Sequence, residues 1–465
     1  MSDVVNVVGA DQLVDWGFLR GPVGIAGGGA SGTLSAVHLL RSSNDVKLRV
    51  VLFESEPGRR FRGVAYGTTD PRHLLNVRAQ IMSAFPDEPD HFLEWARSAG
   101  HEVGPNDFPP RMLFAEYLRD LVAEFGDHRL TVVDARVEDV VATENGFEIT
   151  AGGLTTRVGS VVLAYGNPAP RRLATAAGPL PDAAWHVQSP WDLDGLATVS
   201  ERGTVVLVGA GLTAVDAAIT LLDDGPERRV VMVSRHGELP RAQLEQTITD
   251  WVTPVPAGPL TADGLAALVC DQLAAAKRQG VDWRAVVDGL RAQGQSIWRR
   301  LDIDERRRFL AVHYFDWTVR RHRMAPEGAA RIAAYLDSGR LSVLGGGLRW
   351  VEDLGARCKV GLEGVTLEAE AVINCTGPLA DVTQTGDPLL RALVDRGTVA
   401  PDPLGLGLTC TPSGQLLDLS GDIVPGMYTL GPPARGSLWE SLGVPEIRVM
   451  AAQLAQQLTS PVPDS

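Results

Sequence analysis

The chain reads as an α/β protein with two Rossmann-like dinucleotide-binding domains, the second inserted into a discontinuous first, plus an added helical segment. Three observations predict this. A β-branched run meets a GxGxxG at Gly27, Gly29 and Gly32 and passes into a helical pattern. A GxGxxA follows a second such run at Gly209, Gly211 and Ala214, and the stretch between Pro240 and Gly339 turns helical. The 465 residues exceed what one hydrophobic core usually serves, so two domains are expected. Apolar residues at 45% and charged residues at 22% suffice for packed cores and exclude wholesale disorder.

In the first element, VGIAGGGASGTLSAVHLLR, Gly27 permits the tight turn and Gly29 lets a pyrophosphate approach the backbone. Gly32 allows close helix–strand packing, and the helix opening at Ala30 and Ser31 turns its N-terminus toward negative charge. The next strand, LRVVLFESE, ends in Glu54, 22 residues past Gly32, where a carboxylate can accept hydrogen bonds from both ribose hydroxyls of an adenosine.

The second element, GTVVLVGAGLTAVDAAITLLDDG, repeats the cradle, but its following strand, RVVMVSRHG, carries Ser234 where the first has Glu54, with Arg235 beside it. A carboxylate would repel a 2′-phosphate, whereas a hydroxyl and a guanidinium fork can bind one, so this site should prefer NADPH to NADH. Two more strands end in small residues beside a nucleotide: VGSVVLAYGNPAP with Ala164 and Gly166, and AEAVINCTGP with Thr376 and Gly377.

A net charge of −14 argues against a nucleic-acid partner, because phosphate binding runs on clustered positive charge. Cys270, Cys358, Cys375 and Cys410 are scattered without a CxxC, so neither a disulfide framework, a metal site nor a redox-active cysteine pair is expected. No basic region followed by an apolar run opens the chain, and the longest apolar stretch is broken by Gly209, Gly211 and Asp216. A cytoplasmic protein that does not bind membranes is expected.

With the two cradles, the segments RGVAYGTTDPRHLLNVRAQIMSAFPDEPDHFLEWA, PPRMLFAEYL, LAYGNPAP, SPWDLDGL, VSRHGELPRA, RRHRMAPE and YTLGPPARGSLWESLGVPEIRV resemble the bacterial FAD/NAD(P)-binding protein family. That family is a branch of the two-dinucleotide-binding-domain flavoproteins related to class B flavin monooxygenases. The resemblance runs from about residue 22 to about 455 and implies FAD in the first cradle and NADPH in the second.

Class B relatives carry a histidine and a tryptophan just before the NADPH-binding strand, which makes His186 and Trp191 of AWHVQSPWDLDG cofactor-binding candidates. The leading FxG is absent and the spacing from His186 to Trp191 has one residue too many, a departure from the Baeyer-Villiger fingerprint. The C-terminal MYTLGPPARGSLWESLGVPEIR resembles the segment that crosses the flavin ring and opens a helix, adding Gly431, Trp439 and Pro445 as cofactor contacts. Pro445 at a helix start costs no hydrogen bond, and the helix N-terminus stabilises negative charge on a reduced flavin. Gly431 and Pro432 replace the usual Gly-Asp.

Flavin performs electron chemistry itself, so no catalytic triad is required. The resemblance places His73 and Asn76 of HLLNV near the flavin ring as catalytic candidates. The run RRLDIDERRRFLAVHYFDWTVRRHRMAP holds eight arginines against four acids, with Leu310, Tyr314 and Trp317 at helical spacing. It reads as an amphipathic helix with solvated arginines, in which Arg320, Arg321 and Arg323 are the candidates for an acidic substrate.

The expected organisation is an FAD-binding domain over 1–190 and 345–465 and an NADP-binding domain over 191–344, with the helical insertion at about 240–339. The resemblance implies an FAD-dependent, NADPH-using oxidoreductase, foremost a monooxygenase acting through a C4a-peroxyflavin, with N-hydroxylation of an amine as the reaction type. The partner is then a small molecule, an amine or acidic compound. The alternatives are an NADPH dehydrogenase serving a non-oxygen acceptor and a flavin-binding redox sensor without turnover.

Overall fold

Uninterrupted β-branched runs form strands buried on both faces, and two sets of them build two sheets. The computed structural model describes residues 5–12 and 21–460, without the side chains of Leu193 and Asp194. The first sheet has seven strands in the order Asn6–Gly9, Leu130–Asp134, Val50–Glu54, Val23–Ala26, Ser160–Leu163, Ile423–Thr429 and Gln415–Leu417. Only the last pair is antiparallel. The first glycine strand is central: Val23 pairs with Val50 on one side and Ser160 on the other.

The second sheet has five parallel strands, in the order His186–Val187, Ala371–Asn374, Arg202–Val208, Glu227–Val233 and Leu341–Leu344. The two units share one plan. On one face of the first sheet, Ile25, Val50 and Leu52 pack against helices Ala30–Ser42, Arg111–Phe125 and Val444–Thr459. On its other face, Val51, Phe53 and Val161 pack against a three-stranded antiparallel meander spanning 137–158. The second sheet repeats this, with helices Leu212–Asp224 and Pro326–Asp337 on one side and a meander spanning 350–369 on the other.

Helix Ala30–Ser42 is buried at every position from Ser31 to Leu40, since the sheet lies below it and helix Val444–Thr459 above it. A helix covered all round explains why its sequence carries so little polar surface.

The shared plan shifts the boundary expected at residue 345. The meander at 350–369 and strand Ala371–Asn374 belong to the second unit, as the meander at 137–158 and strand Ser160–Leu163 belong to the first. The chain re-enters the first sheet at Gln415.

Between the second unit's strands lie helices Ala262–Arg278, Trp283–Gly289, Gly294–Arg300, Ile303–Arg308, Tyr314–Arg321 and Pro326–Asp337. The single amphipathic helix read from the arginine-rich run is in fact broken by a π turn at Phe309–His313. Its arginines are also not all solvated. Arg321 pairs with the buried Glu440 at 2.8 Å, Arg323 is buried against Asp288, and Arg306 donates to the carbonyls of Trp298 and Leu301. Guanidinium groups with fixed acceptors tie this segment to its neighbours. Among the described residues, no helix is long and apolar enough to cross a membrane.

Candidate functional site: two glycine cradles and the joint between them

At the first cradle the backbone leaves strand Val23–Ala26 through Gly27 at φ +115°, and a Cβ there would come 2.4 Å from the Ala164 carbonyl oxygen. A Cβ on Gly32 would stand 1.9 Å from the Gly27 carbonyl oxygen, so the third glycine lets the helix sit on its own turn. Gly29, Ala30 and Ser31 line a cavity of about 670 Å³. As the first residues of a helix they leave amide N–H groups without helical acceptors, a ready anion site.

Glu54 lies in the same wall, with one oxygen accepting from the Glu56 amide at 3.0 Å. Burial pushes its carboxyl above the ordinary range, while backbone amides of Glu56 and Gly28 pull it back. Ala164, Gly166, Leu442 and Val444 also line it, the last beside Pro445 in the first turn of helix Val444–Thr459. Gly431 (φ +74°) packs on the first cradle's helix, where a Cβ would meet the Ser31 hydroxyl at 2.7 Å.

Segment 59–66 was not assigned from sequence, yet Arg59, Arg62, Gly63 and Tyr66 line this cavity. The structure brings it there through Gly63, which at φ +62° lies against Gly29, and through Phe61 N–H, which donates to the Gly28 carbonyl at 2.7 Å.

At the second cradle Gly209 has φ +125°, and its Cβ would meet the Cys375 carbonyl oxygen at 2.2 Å. Gly211 faces open space, and the Ala214 methyl is fully buried. Ser234 is half-buried and its hydroxyl accepts from the Gly237 amide at 3.1 Å, while Arg235 is exposed. Thr376 and Gly377 follow strand Ala371–Asn374, beside the turn at Gly209, with Thr376 O–H donating to the Asn374 carboxamide at 2.7 Å.

His186, Trp439 and His73 lie outside the lining of the 670 Å³ cavity. His186 occupies an edge strand of the second sheet, paired with Val372, with its Nδ1 bonded to the Pro181 carbonyl at 2.9 Å. Trp439 turns away from the 670 Å³ cavity and stacks on Trp298 of the helical insertion, ring centroids 4.4 Å apart. That indole finds its apolar contacts in the insertion. His73 is 1% exposed with both ring nitrogens occupied, which closes it to a ligand. Asn76 is half-buried, and its carbonyl accepts from the Gln243 carboxamide at 3.5 Å.

His73 belongs instead to a joint between the two units. Thr220, on the second cradle's helix, donates to Asp70 at 2.6 Å, so its oxygen must accept from His73 Nε2–H at 2.9 Å. That leaves Nδ1 as the acceptor for Thr68 O–H at 2.8 Å, and the ring neutral. Burial agrees, holding His73 below the usual histidine range against the pull of Asp216 and Asp70. Arg72 binds Asp70 at 2.8 Å and Asp224 at 2.7 Å. Arg111 reaches Asp216 at 2.7 Å, with its guanidinium 5.6 Å from the ring of Trp191.

Two nucleotide-shaped turns on two fused parallel sheets define the fold of two-dinucleotide-binding-domain flavoproteins. Residues 24–168 match the family described as FAD-NAD(P)-binding, which covers the whole first cradle. Among solved structures, the ornithine hydroxylase of Pseudomonas aeruginosa is similar, with a TM-score of 0.65, 15% identity and coverage of 94% of this chain and 98% of that one. The ornithine N-hydroxylase of Kutzneria sp. 744, solved with reduced FAD, NADP⁺ and L-ornithine, has a TM-score of 0.61, 15% identity and coverage of 94% and 98%. The bacillithiol disulfide reductase of Staphylococcus aureus has a TM-score of 0.55, 12% identity and coverage of 94% of this chain and 97% of that one. No curated protein matches the sequence.

Proposed function

We propose that the chain is an FAD- and NADPH-dependent monooxygenase that N-hydroxylates a small amine. The observation that carries this reading is the joint: Arg111–Asp216 and His73–Thr220 lock the second cradle's helix onto the first unit. Two carriers held on one rigid frame is what transfer of reducing equivalents between two rings requires.

The residues fit both carriers. Gly27, Gly29, Ala30 and Ser31 would hold the FAD pyrophosphate, Glu54 its ribose, and Ala164, Gly166, Leu442 and Val444 the rest of the cavity wall. Gly209 and Gly211 would hold the NADPH pyrophosphate, with Ser234 and Arg235 at the 2′-phosphate. Bound flavin, reduced by NADPH, supplies the oxygen-activating chemistry. The protein's part is to bind, to orient and to exclude water.

The hydroxylases of ornithine support the monooxygenase reading, and the cysteines weigh against a disulfide reductase on the same fold. All four are free; Cys358, Cys375 and Cys410 are buried, and burial pushes the Cys358 thiol to about 12 and the Cys410 thiol to about 11. Such thiols resist becoming nucleophilic thiolates.

The test starts with anaerobic NADPH, which should bleach the yellow protein. Oxygen uptake should then match a hydroxylated amine from a panel that includes L-ornithine. Bleaching with all oxygen recovered as hydrogen peroxide would point to the dehydrogenase reading, and absence of bleaching to the sensor.

A further inference from the structure

The helical insertion encloses a second cavity, about 220 Å³, that the two cradles do not use. Helix Ala262–Arg278 lends it a stripe of Leu265, Ala266, Val269 and Leu273, and the opposite wall is the stacked Trp298–Trp439 pair. Trp298 is fixed by donating its indole N–H to the Gly436 carbonyl at 2.7 Å. Trp439 is held at φ +59°, a conformation a bulky residue avoids unless its surroundings impose it.

Charge is confined to paired groups. Arg320 binds Asp316 at 3.0 Å, and His313 binds Asp263 at 2.8 Å. A charged ligand group would find no free counter-charge among these, and burying it would be costly. An apolar void of about 150 Å³ is already enough to hold benzene, so 220 Å³ admits a larger ring system.

The void also adjoins the first cradle through one strap of chain. Trp439 faces it, while Leu442 and Val444, three and five residues on, face the 670 Å³ cavity. We propose that this cavity binds an uncharged aromatic ring of about indole size and, resting on the monooxygenase reading above, that the ring is one end of the amine substrate. Enclosure by the insertion and the strap together favours a small molecule over a second protein chain as the occupant.

Cys270 makes the site measurable, being the exposed cysteine among the four and part of the cavity wall. Indole, added to the flavin-loaded protein without NADPH, should slow alkylation of Cys270 by iodoacetamide about tenfold at ten times its Kd. Ala266→Trp should remove any further slowing by indole, with its ligand-free alkylation rate at or below that of the wild type and the bound flavin unchanged. Val269→Phe serves as a second filling variant should Ala266→Trp misfold. No protection in the wild type, equal protection in a folded filling variant, or protection that follows protein concentration through self-association would overturn the site.

The substrate assignment is read separately, with tryptamine and NADPH. Either filling variant should raise the KM for tryptamine without slowing NADPH bleaching of the flavin; an unchanged KM would overturn the assignment. Wild-type protein that forms no hydroxylated product from tryptamine would overturn the assignment, whereas none from any amine of the panel would sink the monooxygenase reading, and either outcome leaves the alkylation result standing.

Discussion

The two cradles share a turn but differ in how closely the chain surrounds it. Around the first, residues from segments 59–66, 164–172, 384–390 and 442–447 line the cavity, and Gly29 lies against Gly63. At the second, Gly211 has no atom near its missing side chain, and Arg235 is exposed. The enclosed cradle suits a carrier that stays, and the open one suits a carrier that must leave after each cycle. The third position of the motif carries the same contrast in miniature: Gly32 tolerates no Cβ, whereas Ala214 buries one.

The largest effect should come from Gly32→Ala. Its Cβ would meet a backbone oxygen at 1.9 Å, which no side-chain rotation can relieve. A loss of about 3 kcal/mol is expected, at the upper end of overpacking, together with loss of bound flavin. Denaturant unfolding and the absorption spectrum check it; a yellow variant of wild-type stability would break the contrast between the cradles.

Next in size is Arg235→Ala at the open cradle. A charge-assisted hydrogen bond contributes about 1.5–3 kcal/mol, so the KM for NADPH should rise roughly tenfold to a hundredfold, with that for NADH little changed. Equal changes for both coenzymes would remove Arg235 from the 2′-phosphate.

The joint supplies a pH dependence. His73 is neutral in the fold and below its ordinary range, so the unfolded chain binds more protons once pH falls below about 6.5. The stability it contributes is complete above that pH and is lost as pH drops toward the lowered folded value. The slope from this one group reaches at most about 1.4 kcal/mol per pH unit. His73→Asn should flatten the acid limb of a stability–pH curve by up to one proton; an unaltered limb would mean that folding does not shift the ring's pKa.

Both cradles were legible in the sequence because their parts are consecutive: strand, glycine turn, helix, strand and terminal residue. The joint was not, since Arg72 and Asp224 lie 152 positions apart and meet only once the sheets have formed. The misplaced boundary has a similar origin. Short meander strands such as Trp350–Asp353 and Thr366–Ala369 leave weak alternation, so the second unit's repeat of the first unit's plan is hidden until the pairing of Ala371 with Val205 reveals it. Trp439 is expected at the cofactor from its neighbours in sequence; that its indole stacks on Trp298, 141 positions away, could not be read there.

The smallest effect expected is also the sharpest test of the third motif position. Ala214→Gly would copy the first cradle's glycine into the second. If the second helix could move in to use the freed space, the variant would bind NADPH as well as the wild type or better. Ala214 is fully buried within a helix, however, and the sheet contacts of Val205, Leu207 and Ile219 already set the distance between helix and strands. The change should therefore only remove helix propensity and a methyl group, lowering stability by about 1–2 kcal/mol with the KM for NADPH unchanged. A tighter KM would show that helix position, rather than enclosure, separates the two cradles.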